Sequence, residues 1–294
     1  MALTLRSAAG RPLPSWDPGA HVELDLGEGC SRTYSLYEDP DDTTSWRIAV
    51  LRAEDSRGGS AYVHDRLHRG VEVRGRGPRN RFPLREAPAY RFVAGGIGIT
   101  PVLPMIERAE RAGARWSLLY GGRTRASMAF VDELTRHGDK VLLRPQDEHG
   151  LLDLADYIGD PDARELVYCC GPALLLDAIG KHCVGRPEIL NIERFAGRVD
   201  VSGEHGESFE VVFGRSGRTA VVPPGTSILT AAQEAGVAPP SSCTEGICGT
   251  CETEVISGRP EHRDSVLSDD DRDRDETMMI CVSRSLDPRL VLDL

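Results

Sequence analysis

The stretch CTEGICGTC at residues 243–251 and the segment MMICVS at residues 278–283 decide the fold of the last third of this chain. Cys243, Cys248 and Cys251 are spaced C-x4-C-x2-C, and Cys281 follows as a distant fourth cysteine. In plant-type ferredoxins this spacing allows four thiolates to hold two irons and two sulfides. The pattern therefore predicts a 2Fe-2S cluster and a protein that carries electrons.

A structural zinc site is the alternative interpretation of these four cysteines. Zinc sites favour two C-x2-C pairs, and only Cys248 and Cys251 form such a pair here. Gly246 and Gly249 lie between the ligands, where glycine lets the loop turn backbone N–H groups toward cluster sulfurs. Three of the other cysteines are interpreted as buried thiols: Cys30, Cys169 and Cys183.

The composition is that of an ordinary globular protein, with 40% hydrophobic and 28% charged residues in a chain of 294. This length has room for two or three domains, each with its own core. The N-terminal sequence MALTLRSAAGRP does not resemble a signal peptide, and the chain has no apolar run long enough to span a bilayer. We therefore expect a cytoplasmic protein that has no membrane span and whose cysteines are not in a disulfide framework.

Negative charge is concentrated at the C-terminal end. Residues 200–294 contain 18 acidic and 8 basic side chains, a net charge of −10, whereas the whole chain carries −11. This balance argues against nucleic acid as a partner, because phosphate binding requires a basic surface. The run DDDRDRDE at 269–276 is interpreted as a solvated loop or as a surface that steers a basic partner. A polar, glycine-rich linker is predicted at 198–207.

Strand and helix patterns alternate through the middle of the chain. The segment YRFVA at 90–94 is typical of a buried strand, and a helix is predicted to begin at Pro101. Such alternation predicts a parallel sheet wrapped by helices. In these folds ligands bind beyond the carboxyl ends of the strands, which is where GGIGIT (95–100) and CCGP (169–172) fall.

The glycines of GGIGIT allow two interpretations. Gly95, Gly96 and Gly98 would let a backbone approach a pyrophosphate at a helix N-terminus. The dinucleotide fingerprint is incomplete, however, because Thr100 replaces its third glycine and no acidic residue ends the second strand. A nucleotide site and a tight strand-to-helix turn both remain open from this motif alone.

The first ninety residues have the alternation and the turn residues of an antiparallel sheet. In SRTYSL (31–36), strand alternation directs Arg32 and Tyr34 to one face. An arginine beside a tyrosine is suited to clamp a phosphate and to pack on a ring, although the same pattern occurs in a plain barrel strand. RGGSAYVHDRL (57–67) places glycines and Ser60 at a helix start, which is a second candidate anion site.

The order of these motifs resembles the phthalate dioxygenase reductase family, which includes the vanillate O-demethylase reductases. The motifs are R-x-Y-S, G-G-S, G-G-I-G-I-T-P, C-C-G-P, E-x-F and the cysteine pattern. The resemblance implies a multidomain α+β and α/β protein. Its expected parts are an FMN-binding antiparallel β-barrel at 1–87, a ferredoxin-reductase-type NAD domain with a parallel sheet at 88–197, and a β-grasp plant-type ferredoxin at 208–294.

The resemblance also implies which residues bind cofactors. Arg32 would hold the FMN phosphate, Tyr34 would pack on the isoalloxazine and Phe195 would cover the flavin until nicotinamide displaces it. The expected cofactor-binding residues are Arg32, Thr33, Tyr34, Ser35, Val50, Leu51, Gly58, Gly59, Ser60, Gly95, Gly96, Gly98, Thr100, Pro101, Cys170, Gly171, Pro172 and Phe195. The expected cluster ligands are Cys243, Cys248, Cys251 and Cys281.

The function implied by the resemblance is the transfer of electrons from NADH through FMN to the 2Fe-2S cluster and on to a Rieske-type oxygenase. Hydride transfer is a positioning task, so no acid-base catalytic residue is predicted. The alternatives are a reductase for a cytochrome P450 and a ferredoxin-type carrier whose front half no longer binds flavin. NADPH is the alternative coenzyme, because Arg123 and Arg125 follow the second strand. A monomer is expected.

One departure from the family concerns the start of the barrel. Family members begin with an additional strand ahead of the segment that matches LTLRSAAGRPLPSWDPG, and this chain has only Met1 and Ala2 before it. The barrel is therefore predicted to lack its first strand and to expose an edge, which puts flavin binding in question.

Overall fold

The fold is described from a computed structural model, which covers residues 1–27, 30–53, 58–159, 164–197 and 207–294. The chain forms two compact units, Met1–Phe195 and Ala196–Leu294. The predicted linker at 198–207 lies outside the described residues except for Glu207. The division of the first unit at residue 87 stays a prediction. No helix in the described part of the chain has the length and apolar character needed to cross a membrane.

The described residues form short strands and helices throughout. The strands are β1 Ala2–Leu5, β2 Ala20–Asp25, β3 Ser31–Tyr37, β4 Trp46–Ala49, β5 Arg74–Asn80, β6 Ala89–Gly95, β7 Arg115–Gly122, β8 Val141–Pro145, β9 Glu165–Cys170, β10 Leu190–Glu193, β11 Phe209–Phe213, β12 Arg218–Val222, β13 Glu252–Ser257, β14 Pro260–Glu261, β15 Thr277–Met279, β16 Arg284–Ser285 and β17 Arg289–Leu292. The α-helices are α1 Gly59–Arg66, α2 Val102–Arg111, α3 Val131–Leu134, α4 Gln146–His149, α5 Leu154–Ile158, α6 Ala173–His182, α7 Ile228–Glu234 and α8 Asp269–Arg274. Four 3-10 helices occupy Gly96–Ile99, Arg125–Ser127, Thr135–Lys140 and Pro187–Ile189.

The first sheet of the first unit is antiparallel, with strand order β1-β4-β3-β2-β5. Alternate residues of β2 and β3 point to the same side of the sheet, and the buried side carries apolar residues. Val22, Leu24, Leu36 and Ile48 are almost fully enclosed there. β1 and β5 are the outer strands of this sheet. The predicted absence of a first barrel strand stays a prediction.

The second sheet of the first unit is parallel, with strand order β10-β9-β6-β7-β8. It has an aromatic and aliphatic core, and α2 packs its apolar face against the sheet. From β6 the chain proceeds outward through β7 to β8, then returns to build β9 and β10 on the other side. The order therefore reverses between β6 and β9, and ligands bind at such a switch point.

The two sheets of the first unit are packed against one another. The rings of Tyr37 and Phe130 lie 5.0 Å apart, and Tyr37 belongs to the same buried cluster as residues of β6 and β7. Arg111 of α2 also pairs with Asp39 and Asp41 at 3.4 and 3.6 Å. Because exposed ion pairs contribute little, the apolar contact supplies most of the attachment. Residues of both sheets can therefore contribute to one site.

The second unit is a mixed sheet with strand order β12-β11-β17-β13-β15, in which β11 and β17 are parallel. Helix α7 buries its apolar residues against this sheet. Arg284 is enclosed and donates to the carbonyl oxygens of Pro223, Thr226 and Glu207. The buried residues of this unit form a core cluster of their own, separate from the clusters of the first unit.

Candidate functional site

The four predicted cluster ligands converge in the second unit. The loop from α7 to β13 carries Cys243, Cys248 and Cys251, and Cys281 follows β15. Each of the four is at most 5% exposed. Thiol hydrogen bonds connect Cys243 with both Cys248 and Cys281, and Cys251 with Cys281. The thiols thus form two pairs that meet, as four ligands shared between two irons require.

Hydrogen bonds connect the four thiols with one another and with backbone N–H groups. Hydrogen bonds from Cys248 and Cys281 lower the pKa of the Cys243 thiol, and the same bonds raise the pKa values of Cys248 and Cys281. The N–H group of Glu245 donates to Cys243 Sγ at 3.3 Å, and that of Thr250 donates to Cys248 Sγ at 3.5 Å. Within the described part of the chain no group of three or more His, Cys, Asp or Glu side chains is arranged to hold a single metal ion. The paired thiols and the N–H donors fit a 2Fe-2S cluster.

Gly246 shapes the loop between the first two ligands. Its φ of +68° lies in the left-handed region, and a Cβ there would be 2.6 Å from Val282 Cγ2 and 3.1 Å from Asp264 Cα. No other residue fits both the backbone conformation and the space. The loop is therefore pressed against the segments that contain Asp264 and Val282.

The predicted phosphate clamp is assembled in the first sheet. The Arg32 side chain of β3 lies over the first residue of α1, and a Cβ on Gly59 would be 2.8 Å from Arg32 Cγ and Nε. Gly58 precedes the helix with φ +88°, which directs the chain into α1. The guanidinium therefore lies beside the N–H groups at a helix N-terminus, and both groups attract an anion.

Ser60 and His64 of α1 hold the neighbouring segment at 50–53. The Ser60 hydroxyl accepts a hydrogen bond from the Ala53 N–H at 3.1 Å, and His64 Nε2 lies 2.9 Å from the Val50 carbonyl oxygen. Val50 is buried, whereas Leu51 is more than half exposed. The sequence does not reveal this contact of His64, because its partner is a backbone oxygen fourteen residues away.

Tyr34 presents an unused donor next to Arg32. Its hydroxyl is buried and has no hydrogen-bond partner among the described residues. Burial raises the pKa of Tyr34 to about 12, with a smaller opposing effect from Arg32, so the phenol is neutral. A buried hydroxyl without a partner costs about 1–3 kcal/mol, which a ligand oxygen would recover. Tyr34, Arg32 and the start of α1 therefore fit a flavin that bears a phosphate. Thr33 lies between Arg32 and Tyr34 on β3, paired with Glu23 of β2.

The predicted nucleotide loops meet at the switch point of the parallel sheet. A Cβ on Gly98 would be 2.3 Å from the Cys170 carbonyl oxygen, and a Cβ on Gly95 would be 2.6 Å from Pro172 Cδ. A Cβ on Gly171 would be 3.0 Å from both Cα and N of Gly95. These glycines therefore allow the loops after β6 and β9 to cross in close contact.

Gly96 differs from its neighbours in this loop. It has φ +56°, and no atom lies within 4 Å of the position of a Cβ. The conformation requires glycine here, while the space beside it stays open to a ligand. The Thr100 hydroxyl donates to the Ile97 carbonyl at 3.0 Å, and Pro101 follows as the N-cap of α2.

Glu193 completes the site and was not predicted from the sequence. It is the glutamate of the E-x-F motif, in which only Phe195 was assigned a role. The Ser35 hydroxyl donates to Glu193 Oε2 at 3.4 Å, and the Cys170 thiol donates to the same oxygen at 3.7 Å. Burial raises the pKa of Glu193 to about 8, and the hydrogen bonds from Cys170 and Ser35 oppose this effect. Phe195 follows two residues later and is 41% exposed.

A further pocket of about 680 Å³ lies beyond β7. Arg125 and Arg136 line it together with Asp132 and Glu133. A reciprocal pair of hydrogen bonds between Thr124 and Ser127 fixes the turn that leads into it. Arg125, one of the two arginines named for a 2′-phosphate, is therefore at a cavity edge.

Comparison with known proteins supports the 2Fe-2S site and the resemblance to an oxygenase reductase. The sequence profile of the 2Fe-2S iron-sulfur cluster binding domain matches residues 212–286. The chain is 45% identical over 293 residues to the phenoxybenzoate dioxygenase subunit beta of Ectopseudomonas oleovorans, covering 99% of this chain and 91% of that protein.

Two solved structures are similar over the whole chain. A phthalate dioxygenase reductase is 36% identical with a TM-score of 0.72, covering 100% of this chain and 92% of the other. An intact type IV self-sufficient cytochrome P450 monooxygenase is 42% identical with a TM-score of 0.91. This chain is covered in full but spans only 39% of that P450 chain. The predicted fold class, with a flavin-type antiparallel sheet, a parallel sheet and a ferredoxin domain, is confirmed. The chain belongs to the phthalate dioxygenase reductase family.

Proposed function

We propose that this chain takes electrons from NADH through FMN to a 2Fe-2S cluster and delivers them to a separate oxygenase of the Rieske type. The main support for the proposal is that Ser35 and Cys170 both donate hydrogen bonds to the Glu193 carboxyl. These residues come from β3, β9 and β10, so one carboxyl joins the flavin-type sheet to the switch point of the parallel sheet. A hydride donor and acceptor would meet at this junction.

A bound flavin supplies the conversion of a two-electron hydride into the single electrons that a 2Fe-2S cluster accepts. The chain's own contribution is to hold the two rings in register, because hydride transfer depends on close approach and orientation. The Ser35 hydroxyl and the Glu193 carboxyl present hydrogen-bonding groups at this point. With a pKa of about 8, Glu193 retains its proton at neutral pH and adds no negative charge beside a hydride donor.

FMN is proposed rather than FAD. Arg32 lies against the first turn of α1, where a terminal phosphate finds both the guanidinium and helix N–H groups. A terminal phosphate, as in FMN, uses both contacts without an adenylyl group. Heat release of the bound flavin followed by chromatography distinguishes the two: FAD in the supernatant would contradict this part of the proposal.

NADH is proposed rather than NADPH. The pocket beyond β7 is lined by Asp132 and Glu133 as well as by Arg125 and Arg136. The two acidic side chains offset the positive charge of the arginines and so reduce the attraction for a 2′-phosphate. We expect NADH to have the higher kcat/KM in a reduction assay with ferricyanide. A preference for NADPH that is lost in Arg125→Ala would instead assign the pocket to a 2′-phosphate.

A cytochrome P450 is the second candidate acceptor. The similarity to the P450 monooxygenase chain over all of this chain favours it, because there the matching segment and the P450 belong to one polypeptide. Reduction of a purified Rieske oxygenase and of a P450 by the NADH-reduced protein, measured side by side, separates the candidates. Faster reduction of the P450 would replace the Rieske assignment.

The first experiment is an absorbance spectrum of the purified protein before and after anaerobic addition of NADH. Flavin and iron-sulfur bands that both bleach are the expected result. Cluster bands without flavin, unchanged by NADH, would favour a simple electron carrier. A spectrum without cluster bands, together with one zinc per chain, would favour the zinc alternative.

A further inference from the structure

A short segment of the second unit lies between the two stretches that carry the cluster cysteines. We call residues 262–265 the strap. The Arg263 N–H donates to Ser283 Oγ at 3.2 Å, and the Ser265 N–H donates to the Gly246 carbonyl oxygen at 2.8 Å. Ser283 is two residues beyond Cys281, and Gly246 lies between Cys243 and Cys248. The strap is thus fastened to both ligand-bearing stretches, with Asp264 at its centre.

Asp264 is only 1% exposed, which is rare for a carboxylate. Its Oδ2 accepts the N–H groups of Val266 and Leu267, both at 2.9 Å. Its Oδ1 is buried and makes no hydrogen bond to any residue that the structure describes. Asp264 Cα lies 3.1 Å from the position of a Cβ on Gly246, so the carboxylate is next to the cluster loop.

The charged side chains near Asp264 do not form a hydrogen bond with its Oδ1 atom in the described part of the chain. His262 Nδ1 lies 3.9 Å from Oδ1, and among the described residues this nitrogen has no hydrogen-bond partner either. His262 Nε2 lies 3.3 Å from Asp275 Oδ1. Arg272 donates to the backbone carbonyl of Asp264 at 2.8 Å, and Arg263 pairs with Glu261. A buried polar atom without a partner costs free energy, so its presence needs a reason, and a redox role is one such reason.

The position of the carboxylate suggests what that reason is. A 2Fe-2S cluster becomes more negative by one charge when it is reduced, and hydrogen bonds, charge and exposure set its potential. A buried negative charge next to the cluster opposes the added electron, and water and salt screen it little. Asp264 therefore has the location and the burial needed to act on the cluster without binding it.

We propose that Asp264 is a redox-tuning residue, which the strap holds against the cluster loop to keep the reduction potential of the cluster low. The inference rests on the proposed 2Fe-2S cluster and deepens the proposed electron transfer. A lower potential makes the reduced cluster a stronger donor to the acceptor protein. Asp264 is not one of the four proposed cluster ligands, so its effect is on the driving force of electron transfer.

The test is the midpoint potential of the cluster in the full-length holoprotein, measured by redox titration with electron paramagnetic resonance detection. Asp264→Asn keeps the size of the side chain and removes its charge. We expect the reduction equilibrium to shift about tenfold toward the reduced cluster, equal to about 59 mV for a one-electron couple. Asp273→Asn, which removes an exposed charge from α8, is the matched control and should shift the equilibrium much less.

Two further variants separate charge from structure. Asp264→Ser also lacks the charge and can accept a backbone N–H two residues on, so it should reproduce the shift if Asp264→Asn does not load. Asp264→Glu keeps the charge and should stay near the wild-type potential. A wild-type potential in a fully loaded neutral variant, an equal shift in Asp264→Glu, or failure of both neutral variants to hold a cluster would each overturn the tuning role. Absence of the cluster signal from the wild-type protein would instead reject the proposed function.

Discussion

The Ser35 hydroxyl on β3 donates a hydrogen bond to the Glu193 carboxyl on β10 across 3.4 Å, although the two residues are 158 positions apart in the chain. This contact joins the antiparallel sheet to the edge strand of the parallel sheet. The Cys170 thiol meets the same carboxyl oxygen. The interface of the two sheets therefore contains a polar corner in addition to its apolar contacts and its surface ion pairs.

Replacing Glu193 tests this corner directly. We expect Glu193→Ala to slow flavin reduction by NADH on the order of ten- to a hundredfold, because Ser35 and Cys170 lose the oxygen that they share and a small displacement of the rings is costly in hydride transfer. Stopped-flow absorbance of the flavin measures the step. Glu188→Ala removes an exposed glutamate near the same strand, and this control should behave as the wild type. Equal rates in both variants would remove Glu193 from the site.

Replacing Glu193 by the neutral glutamine changes the dependence of stability on pH. Since the folded-state pKa of Glu193 is raised to about 8, the folded protein keeps a proton that the unfolded chain has already lost above its ordinary carboxyl value. The stability that Glu193 contributes is present below that ordinary value and declines as pH rises to about 8. Because the residue is only partly buried, we expect the wild type to lose on the order of 1–2 kcal/mol relative to Glu193→Gln over this window.

Urea unfolding of both proteins at several pH values measures this difference. A wild-type stability that stays parallel to that of the variant across the window would show that Glu193 titrates normally.

Arg32→Ala should weaken flavin binding. The variant loses a guanidinium beside the first turn of α1, and a charged hydrogen bond of this kind contributes about 1.5–3 kcal/mol, or roughly ten- to a hundredfold in Kd. The ratio of flavin to protein after dialysis measures the loss. Arg47 lies on β4 of the same sheet and forms an exposed ion pair with Glu38. The control variant Arg47→Ala removes this pair and should retain flavin. Full flavin content in Arg32→Ala would place the phosphate elsewhere.

Gly98→Ala should destabilise the first unit. Its Cβ would meet the Cys170 carbonyl oxygen at 2.3 Å, and overpacking of this kind costs about 1–3 kcal/mol. Gly180→Ala in α6 is the matched control, because no atom lies within 4 Å of its Cβ position and alanine favours a helix by about 0.5–1 kcal/mol. In chemical denaturation, the free energy of unfolding should therefore fall in Gly98→Ala and rise in Gly180→Ala, relative to the wild type. Equal stabilities of the two variants would contradict the crossing of the loops.

Arg284→Leu should destabilise the second unit by about 1–3 kcal/mol, because three carbonyl oxygens lose their donor inside the protein. Arg289→Leu is the comparison, since Arg289 pairs with Glu210 at the surface and such pairs contribute about 0–1 kcal/mol. Loss of the cluster absorbance during urea denaturation reports on this unit. A larger effect from Arg289→Leu would exclude the internal role of Arg284.

Local patterns in the sequence predicted much of the architecture. The cysteine spacing predicted which thiols converge, because three ligands lie in one short loop. Strand and helix periodicity predicted the parallel sheet, and the rule for carboxyl ends placed GGIGIT and CCGP together. The order of the motifs then indicated the family, which the comparisons confirm.

The features that escaped prediction depend on contacts between distant residues. Glu193 lies at a strand end like many surface glutamates, and only the fold brings Ser35 and Cys170 to it. The need for glycine at position 98 comes from a carbonyl group of another loop, which no pattern within GGIGIT contains. Asp264 enters the sequence analysis only as one of the acidic residues counted in 200–294, because composition does not reveal which carboxylates are buried.

The separate hydrophobic cores of the two units have a consequence for how such chains are assembled in evolution. The apolar clusters of the first unit contain residues up to Ile192, and the cluster of the second contains residues from Phe209 onward. A gene rearrangement with its breakpoint between these positions would leave each of these described clusters undivided. Either unit could thus be recombined with new neighbours while its own folding information was inherited intact.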